Sequence, residues 1–171
     1  MKLTSFEAIV RALNADAVHY LVAGGLAVNA HGYSRFTNDV DLVVQLTEPD
    51  ISKTFCALEK LGYKPSVPVT AEEFSNPEQR KFMIETKRMT VLQMWSDEHK
   101  ETPVDIFVTE PFDFAEEYQS AFVDQLSPEV SVRFVSIETL IEMKKKVRRP
   151  EDLADIEHLT TIASLKQRKK L

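Results

Sequence analysis

Two aspartates lie one residue apart in an apolar stretch of this sequence. Asp39 and Asp41 belong to the segment DVDLVV, whose other residues are all valine or leucine. Because side chains alternate between the two faces of a strand, we expect both carboxylates on one face and Val40 and Leu42 on the other, toward the core. Two carboxylates so close repel each other, and one stays protonated unless a cation lies between them. The pair therefore predicts a site for a hard divalent cation such as Mg²⁺.

A third aspartate lies in a second apolar stretch. Asp105 is the only charged residue of the segment PVDIFV. A single aspartate in a strand is usually an edge residue or the partner of an arginine, so Asp105 by itself would indicate little. Three strand-borne carboxylates together favour a site for two metal ions, roughly 3.5–4 Å apart, which suits in-line displacement at phosphorus. We expect two Mg²⁺ ions there, with Mn²⁺ as an alternative.

Two glycines precede the aspartate pair at a predicted strand-to-helix turn. Residues 19–24 are typical of a short buried strand, and residues 25–32 of a short helix that Gly32 ends. Gly24 and Gly25 therefore lie where backbone N–H groups favour an anion and where the missing side chains let a phosphate approach closely. The signal is weak by itself because many tight turns use glycine, and no Walker motif follows.

The periodicity of the chain predicts the elements that position these residues. Capping residues and helical spacing predict helices at 5–15 (after a Thr4–Glu7 capping box), 47–62, 111–122, 136–147 and from Pro150 onward. Apolar runs predict a hairpin of strands 81–86 and 89–95, and further strands at 39–46, 103–109 and 130–136. The polar segment 69–79 is expected to be a short helix or a mobile loop. The fold class is therefore mixed α/β (α+β), a mixed sheet flanked by helices with a C-terminal helical segment.

The length and composition suit one compact unit. With 171 residues and 43% hydrophobic content, we expect a core at 1–135 with C-terminal helices at 136–171 packed on it. The single cysteine, Cys56, excludes an internal disulfide, fits a reducing compartment and is expected to be a small core residue. No apolar run approaches the ~20 residues of a membrane span, and the first residues do not form a secretory signal. We expect a cytoplasmic protein that does not contact a membrane.

The charge is distributed unevenly along the chain. The net charge is −6, but residues 143–171 hold nine basic and four acidic residues, a net charge of +5, so the other 142 residues carry −11. An acidic chain is a poor general nucleic-acid binder, whereas the basic C-terminal segment could face phosphates. A solvated helix face is the more common explanation of such a segment.

The motifs together resemble a known family. Two glycines, thirteen residues and then DVDL fit the pattern hG[GS]-x(9–13)-DhDh of the polymerase-β-type nucleotidyltransferase superfamily, and Asp105 fits its third carboxylate. The segment 23–44 resembles minimal bacterial nucleotidyltransferases related to abortive-infection (AbiEii-type) toxins. The segment 140–159 is similar to the K-x4-R-P-x-D-x2-D motif of that group, whose defined positions correspond here to Lys144, Arg149, Pro150, Asp152 and Asp155.

The resemblance implies a role for each matching residue. The three aspartates would hold the two Mg²⁺ ions, and Asp105 would also help to deprotonate an acceptor hydroxyl. Gly24 and Gly25 would cradle the triphosphate of an NTP. Arg35 and Thr37 precede the aspartate pair and would contact phosphate oxygens, and Lys144 would reach the triphosphate from the C-terminal helices.

Several of these roles have structural alternatives. Arg35 could instead neutralise Asp39, and Lys144 could be one exposed lysine among three. Arg149 and Asp152 could join the last two helices through an ion pair and capping of the first turn, while Asp155 fits either role. The four histidines show no metal-ligand spacing, and His31 is expected to pack at the end of its short helix.

These expectations define a leading function and a rival. The leading hypothesis is a Mg²⁺-dependent nucleotidyltransferase that transfers NMP from an NTP to a hydroxyl group and releases pyrophosphate. The acceptor could be an RNA end, a partner protein in a toxin–antitoxin pair, or a small molecule such as an antibiotic, and the chain could act as a homodimer or with a partner. The rival is a non-catalytic module of the same fold that binds nucleotide or a partner protein.

Overall fold

Eight helices and seven strands lie within residues 1–168, the part of the chain that the computed structural model describes. The helices are α1 (Leu3–Ala15), α2 (Gly24–His31), α3 (Glu48–Glu59), α4 (Ala71–Ser75), α5 (Pro77–Lys87), α6 (Phe114–Ser120), α7 (Ile137–Val147) and α8 (Pro150–Arg168). The strands are β1 (Tyr20–Val22), β2 (Val40–Val44), β3 (Tyr63–Pro65), β4 (Val91–Ser96), β5 (Val104–Phe107), β6 (Phe122–Ser127) and β7 (Val130–Phe134). The mixed α+β class is therefore confirmed.

The seven strands form one mixed sheet in the order β3-β4-β5-β2-β1-β7-β6. β2 pairs in parallel with β5 and antiparallel with β1, which in turn pairs in parallel with β7. The outer pairs β3–β4, β4–β5 and β6–β7 are antiparallel. This order places the two aspartate-bearing strands side by side in the middle of the sheet, although they are far apart in the chain.

The aspartate-bearing strands bury their apolar residues as their alternation predicts. Val40, Leu42, Val104 and Ile106 are at most 1% exposed and belong to one core with α1 and α3. The intervening carboxylates are therefore directed away from that part of the core.

The predicted hairpin at 81–95 is wrong in its first strand. Residues 81–86 lie in α5, because Asn76 caps this helix by accepting from the N–H groups of Glu78 and Gln79, and Pro77 occupies its first turn. β4 pairs instead with β3 and β5. The polar segment 69–79 contains α4 and the beginning of α5.

Three smaller expectations also need correction. α1 begins at Leu3 rather than near Ser5, since the backbone N–H of Lys2 donates to Thr102 Oγ1 and fixes the chain before the helix. The predicted helix 111–122 is shorter, from Phe114 to Ser120, because the Asp113 side chain caps its start, and the edge strand β6 begins at Phe122. Cys56 is exposed on α3 rather than part of the core.

The C-terminal helices pack against each other and against α2. The predicted α7 and α8 begin where expected, at the Ser136 cap, whose hydroxyl accepts from the Thr139 N–H, and at Pro150. Residues 169–171 of the predicted C-terminal segment lie outside the described residues. Among residues 1–168, no helix is long and apolar enough to cross a membrane.

Candidate active site

The predicted site residues line one cleft, which has a volume of about 370 Å³. Its walls come from the β1–α2 turn, the loop before β2, strands β2, β4 and β5, and the α7–α8 junction. The sequence-predicted residues that line it are Gly24, Gly25, Arg35, Thr37, Asp39, Asp41, Asp105, Lys144, Arg149 and Asp152. The fold thus brings together side chains from three distant parts of the chain.

The three carboxylates face this cleft from β2, from the residue before β2 and from the neighbouring strand β5. Asp41 and Asp105 are directly paired in the parallel β2–β5 ladder, with their Cα atoms at the same register. Asp39 lies one residue before β2 begins, at a bend, and accepts a hydrogen bond of 3.1 Å from Thr37 Oγ1. The prediction that both carboxylates of the pair share one side is confirmed, although only Asp41 is within the strand.

The electrostatics of Asp41 and Asp105 favour protonation when no cation is bound. Burial, and then the neighbouring charges of Asp39 and Asp105, raises the pKa of Asp41 to about 7, against the opposing effect of Lys144 and Arg149. Burial also raises the pKa of Asp105, with a further contribution from Asp39, while a hydrogen bond from Gln93 lowers it. A cation bound between these side chains would offset the repulsion between their ionised forms and so favour the ionised carboxylates.

These donors have the chemistry of a Mg²⁺ site, but by themselves they do not form a closed ligand set. Carboxylate oxygens are the ligands that Mg²⁺ prefers, usually with water and substrate phosphates completing the shell. Among residues 1–168, no three His, Cys, Asp or Glu side chains form a ready-made metal cluster. The donor set therefore suits a metal that shares its ligands with a bound substrate.

The glycine turn fits directly against the carboxylates. Gly24 has a φ of +58°, and a Cβ built on it would overlap the carboxylate of Asp41. A Cβ on Gly25 would lie 2.5 Å from Thr37 Oγ1 and 3.2 Å from Arg35 Nη1. Both positions therefore need glycine, because one side chain would displace the aspartate and the other the loop that carries Thr37.

Arg35 is not the partner of Asp39. Its Nε lies 2.9 Å from Asp155 Oδ1 and donates to Oδ2 at 3.1 Å, and its Nη1 donates to the Phe36 carbonyl at 3.0 Å. The alternative in which Arg35 neutralises Asp39 is therefore wrong. The side chain instead joins the loop before β2 to α8, 120 residues later in the chain.

Lys144 is buried, so it is not one exposed lysine among three. Its Nζ lies 2.8 Å from Asp155 Oδ2 and 3.1 Å from Asp152 Oδ1, and the residue is 6% exposed. Asp152 also accepts from the Arg149 backbone N–H at 3.0 Å and so caps the start of α8. The expected link between the last two helices exists, but the cation of its ion pair is Lys144 rather than Arg149.

The remaining cation of the cleft is Arg149. Its side chain is exposed and forms no ion pair with another residue in 1–168. The left-handed conformation of Arg148, with a φ of +56°, ends α7 just before it. Arg149 is therefore the cation of the cleft that contacts no carboxylate of residues 1–168, whereas Arg35 and Lys144 each contact at least one.

Three further residues of the site are not identified by sequence reasoning. Gln93 on β4 lies opposite Asp105 and donates to its Oδ1 at 3.3 Å. Asn29 on α2 holds the backbone of Arg35 through two hydrogen bonds, of 2.8 and 2.9 Å. Phe36 is 77% exposed at the edge of the cleft. Of these three residues, only Phe36 has a signal in the sequence, as an aromatic residue next to Arg35. The contacts of Gln93 and Asn29 depend on strand pairing and helix packing.

His31 has the packing role that its position predicts. It is 5% exposed at the end of α2, and its Nε2 lies 2.8 Å from the Val135 carbonyl oxygen. Burial is the main cause that lowers the pKa of its ring. The side chain therefore belongs to the core and does not line the cleft.

Nearly the whole chain is similar in fold to solved structures of a lincosamide antibiotic adenylyltransferase and of other proteins. It matches the lincosamide antibiotic adenylyltransferase LnuA, solved with lincomycin bound, with a TM-score of 0.58 and 17% identity over 93% of this chain and 96% of that one. It matches ANT(2")-Ia, solved with adenylyl-2"-tobramycin, with a TM-score of 0.56 and 13% identity over 99% and 98% of the two chains. A nucleotidyltransferase-like protein from Paracoccidioides brasiliensis matches with a TM-score of 0.53 and 16% identity over 92% of this chain and 74% of that one.

Sequence comparisons add no further relative: no protein-family model and no curated protein matches the chain. At 13–17% identity, the similarity to solved structures concerns the fold and not the substrate. The similarity to LnuA and ANT(2")-Ia nevertheless extends over nearly the whole length of those chains. The chain therefore has the nucleotidyltransferase fold.

Proposed function

We propose that this chain is a nucleotidyltransferase, which transfers a nucleoside monophosphate from an NTP to a hydroxyl group and releases pyrophosphate. The observation that carries the proposal is the position of Asp41. Its carboxylate packs against Gly24 at the N-terminus of α2 and lies at the same register as Asp105, inside a cleft of the nucleotidyltransferase fold. Carboxylates for metal ions and a turn for phosphate are thus adjacent, as a metal-bridged triphosphate requires.

The chemistry follows from these positions. The acceptor oxygen attacks the α-phosphorus in line, and a new oxygen–phosphorus bond forms as the bond to the departing pyrophosphate breaks. Asp105 would receive the hydroxyl proton as a general base positioned in the cleft beside Asp41. Asp39, Asp41 and Asp105 would hold Mg²⁺, whose charge would stabilise the triphosphate and the leaving pyrophosphate.

The charge of the cleft supports a requirement for metal. Five carboxylates and three cationic side chains line it, namely Asp39, Asp41, Asp105, Glu151 and Asp152 against Arg35, Lys144 and Arg149. Two of those cations already contact carboxylates. A triphosphate would therefore be repelled from the metal-free cleft, and we expect its binding to depend on Mg²⁺.

A small molecule is the acceptor that we favour. LnuA and ANT(2")-Ia were solved with lincomycin and with adenylyl-2"-tobramycin, and this chain matches nearly their whole length. The basic C-terminal segment offers less to RNA than its composition indicates. Lys144 is buried in ion pairs, Lys145 pairs with Glu142, and Lys146 donates to the Pro111 carbonyl.

The other acceptors rest on weaker grounds. A partner protein, within a toxin–antitoxin pair, is favoured only by the sequence resemblance to the abortive-infection branch. The non-catalytic rival predicts that nucleotide binds without turnover. The presence of all three carboxylates in the cleft favours turnover.

Thermal unfolding with each of the four NTPs, with and without Mg²⁺, tests nucleotide binding first. A ligand that binds only the folded state raises the unfolding temperature, so we expect a Mg²⁺-dependent rise with at least one NTP. Asp41→Asn should abolish the rise, while Asp97→Asn, an exposed carboxylate that pairs with Lys100 outside the cleft, should keep it. No rise with any NTP would contradict the proposal.

Turnover is tested by pyrophosphate release in the presence of aminoglycoside and lincosamide acceptors. Mass spectrometry of the acceptor should show the added nucleoside monophosphate. Asp105→Asn should reduce the rate by about 10²-fold or more, the usual contribution of a positioned base. NTP binding without pyrophosphate release for any hydroxyl acceptor would favour the non-catalytic rival.

A further inference from the structure

We propose that Asp155 is a positioning residue, which aims Arg35 at the Gly24–Gly25 turn and thereby makes α8 part of the triphosphate site. The inference rests on the proposed function, because it assigns the Arg35 guanidinium to a phosphate. It goes beyond the family resemblance, in which the last helices contribute Lys144 and the role of Asp155 is open.

The two ends of the Arg35 guanidinium are used differently. Nε is held by Asp155, at 2.9 Å from Oδ1 and 3.1 Å from Oδ2. Nη1 donates to the Phe36 carbonyl and lies so close to Gly25 that a Cβ there would be 3.2 Å away. Nη2 has no acceptor among the described residues. The outer end of the side chain thus lies over the glycine turn, and its Nη2 N–H groups remain for another acceptor.

The backbone of Arg35 is fixed independently of its side chain. Asn29 Oδ1 accepts from the Arg35 N–H at 2.8 Å, and Asn29 Nδ2 donates to the Arg35 carbonyl at 2.9 Å. With the main chain held by α2 and Nε held by α8, the direction of the guanidinium is determined. A carboxylate that fixes one edge of the guanidinium leaves the other edge for a second anion.

Asp155 is suited to this task because it is 1% exposed and fixed from both sides. Its Oδ2 also lies 2.8 Å from Lys144 Nζ, so one buried carboxylate holds cations from the loop before β2 and from α7. A buried carboxylate with two cationic partners has little freedom to move, because leaving either partner unpaired is costly.

Charge neutralisation is the competing explanation, and it predicts the opposite result. If Asp155 only neutralises Arg35 and Lys144, then Asp155→Asn frees positive charge near the turn and strengthens anion binding. If Asp155 positions Arg35, the same substitution weakens anion binding although it makes the cleft more positive. The sign of the change therefore separates the two explanations.

Isothermal titration calorimetry with Mg²⁺ and tripolyphosphate tests the inference without involving base or acceptor. We expect Asp155→Asn to weaken binding about tenfold, the usual scale of one hydrogen bond to a charged group. Asp50→Asn is the matched control, because Asp50 is also a buried carboxylate, pairs with His19 and lies outside the cleft. It should leave tripolyphosphate binding unchanged. Equal or tighter binding by Asp155→Asn would overturn the inference.

A double-mutant cycle shows whether Asp155 acts through Arg35. Arg35→Gln alone should weaken tripolyphosphate binding, and Asp155→Asn added to it should weaken binding no further. Full additivity of the two losses would overturn the inference. If Asp155→Asn does not fold, Arg35→Lys replaces it, because lysine keeps the charge but cannot bond Asp155 and face the turn together. Native affinity in Arg35→Lys would also overturn it.

Binding measured on the native chain distinguishes failure of the proposed function from failure of the positioning role alone. If it binds neither Mg²⁺–tripolyphosphate nor any Mg²⁺–NTP, the proposed function fails and the inference fails with it. If the native chain binds and Asp155→Asn binds equally well, only the positioning role fails.

Discussion

At the scale of single residues, the cleft depends on one close approach between backbone and carboxylate. Asp41 occupies the space that a side chain at Gly24 would need, and the backbone there is in the left-handed region with a φ of +58°. The glycine therefore satisfies two requirements at once. Its substitution should affect both the stability of the turn and the position of the carboxylate.

We expect Gly24→Ala to abolish Mg²⁺-dependent NTP binding and to lower the unfolding free energy by ~1–2 kcal/mol from backbone strain alone. Gly62→Ala is the matched control, because Gly62 also has a positive φ, of +74°, but lies near Ser96 and outside the cleft. It should be destabilised similarly and still bind NTP in calorimetry. Loss of binding in both variants would show that strain, and not the contact with Asp41, is the cause.

The pKa of Asp41 predicts how the stability of the metal-free protein depends on pH. Since its pKa rises from 3.8 to about 7 on folding, the native state binds more protons than the unfolded state between those values. Stability therefore falls as the pH rises from about 4 through 7. The full pKa difference corresponds to ~4 kcal/mol, and the partial exposure of the side chain reduces the expected effect to ~2 kcal/mol.

Asp41→Asn should therefore stabilise the metal-free chain at pH 8 and stabilise it by roughly a third as much at pH 5. Urea denaturation in EDTA at both pH values measures the difference. Added Mg²⁺ at pH 8 should stabilise the native chain more than the variant. A variant that is equally destabilised at both pH values would show that Asp41 has structural contacts that outweigh its buried charge.

At the scale of elements, the loop before β2 is held between α2 and α8. Tyr33 stacks on His158 with ring centroids 3.8 Å apart, and Arg35 pairs with Asp155. α8 also contacts α7 through Lys144, which two exposed lysines follow in the chain. Three identical side chains in succession therefore have different environments because of the helical periodicity.

Substitution of these lysines should have unequal effects on stability. Lys144→Met removes the buried cation that contacts both Asp152 and Asp155. It should lower the unfolding free energy by ~3 kcal/mol. Lys145→Met removes only an exposed pair with Glu142 and should cost ~0.3 kcal/mol. Urea denaturation of both variants checks the prediction, and equal small losses would mean that the buried ion pairs contribute little.

At the scale of the whole molecule, charge distinguishes the acceptor classes. The chain has a net charge of −6, and the lysines of α7 are largely paired with carboxylates or carbonyls. A track for a long anionic polymer needs unpaired cations on one surface. The charge of the molecule therefore supports our proposal of a small acceptor over that of an RNA chain.

We accordingly expect a fluorescent single-stranded RNA of about 20 nucleotides to bind weakly in fluorescence anisotropy at about 150 mM salt. Any residual binding at low salt should disappear as salt increases, because phosphate contacts release counterions. Tight binding that persists at that salt concentration would instead favour an RNA end as the acceptor.

Much of the element order is predictable because it depends on local signals. The Thr47, Ser136 and Pro150 helix starts follow from capping chemistry, and the buried alternation of β2 and β5 follows from the pleat. The segment 81–86 resembles a strand because its short apolar pattern fits either period. The cap at Asn76 and the proline after it are the local signals that favour a helix.

Carboxylates in strands and glycines at a helix start are local patterns, so the residues that could hold a metal and a phosphate are identifiable from the sequence. The shared register of Asp41 and Asp105 is not, since strand order depends on packing between distant segments. The partners of Arg35 and Lys144 likewise follow from the fold. Arg35 meets Asp155 across 120 residues of chain, and no pattern of spacing encodes which buried carboxylate a cation will reach.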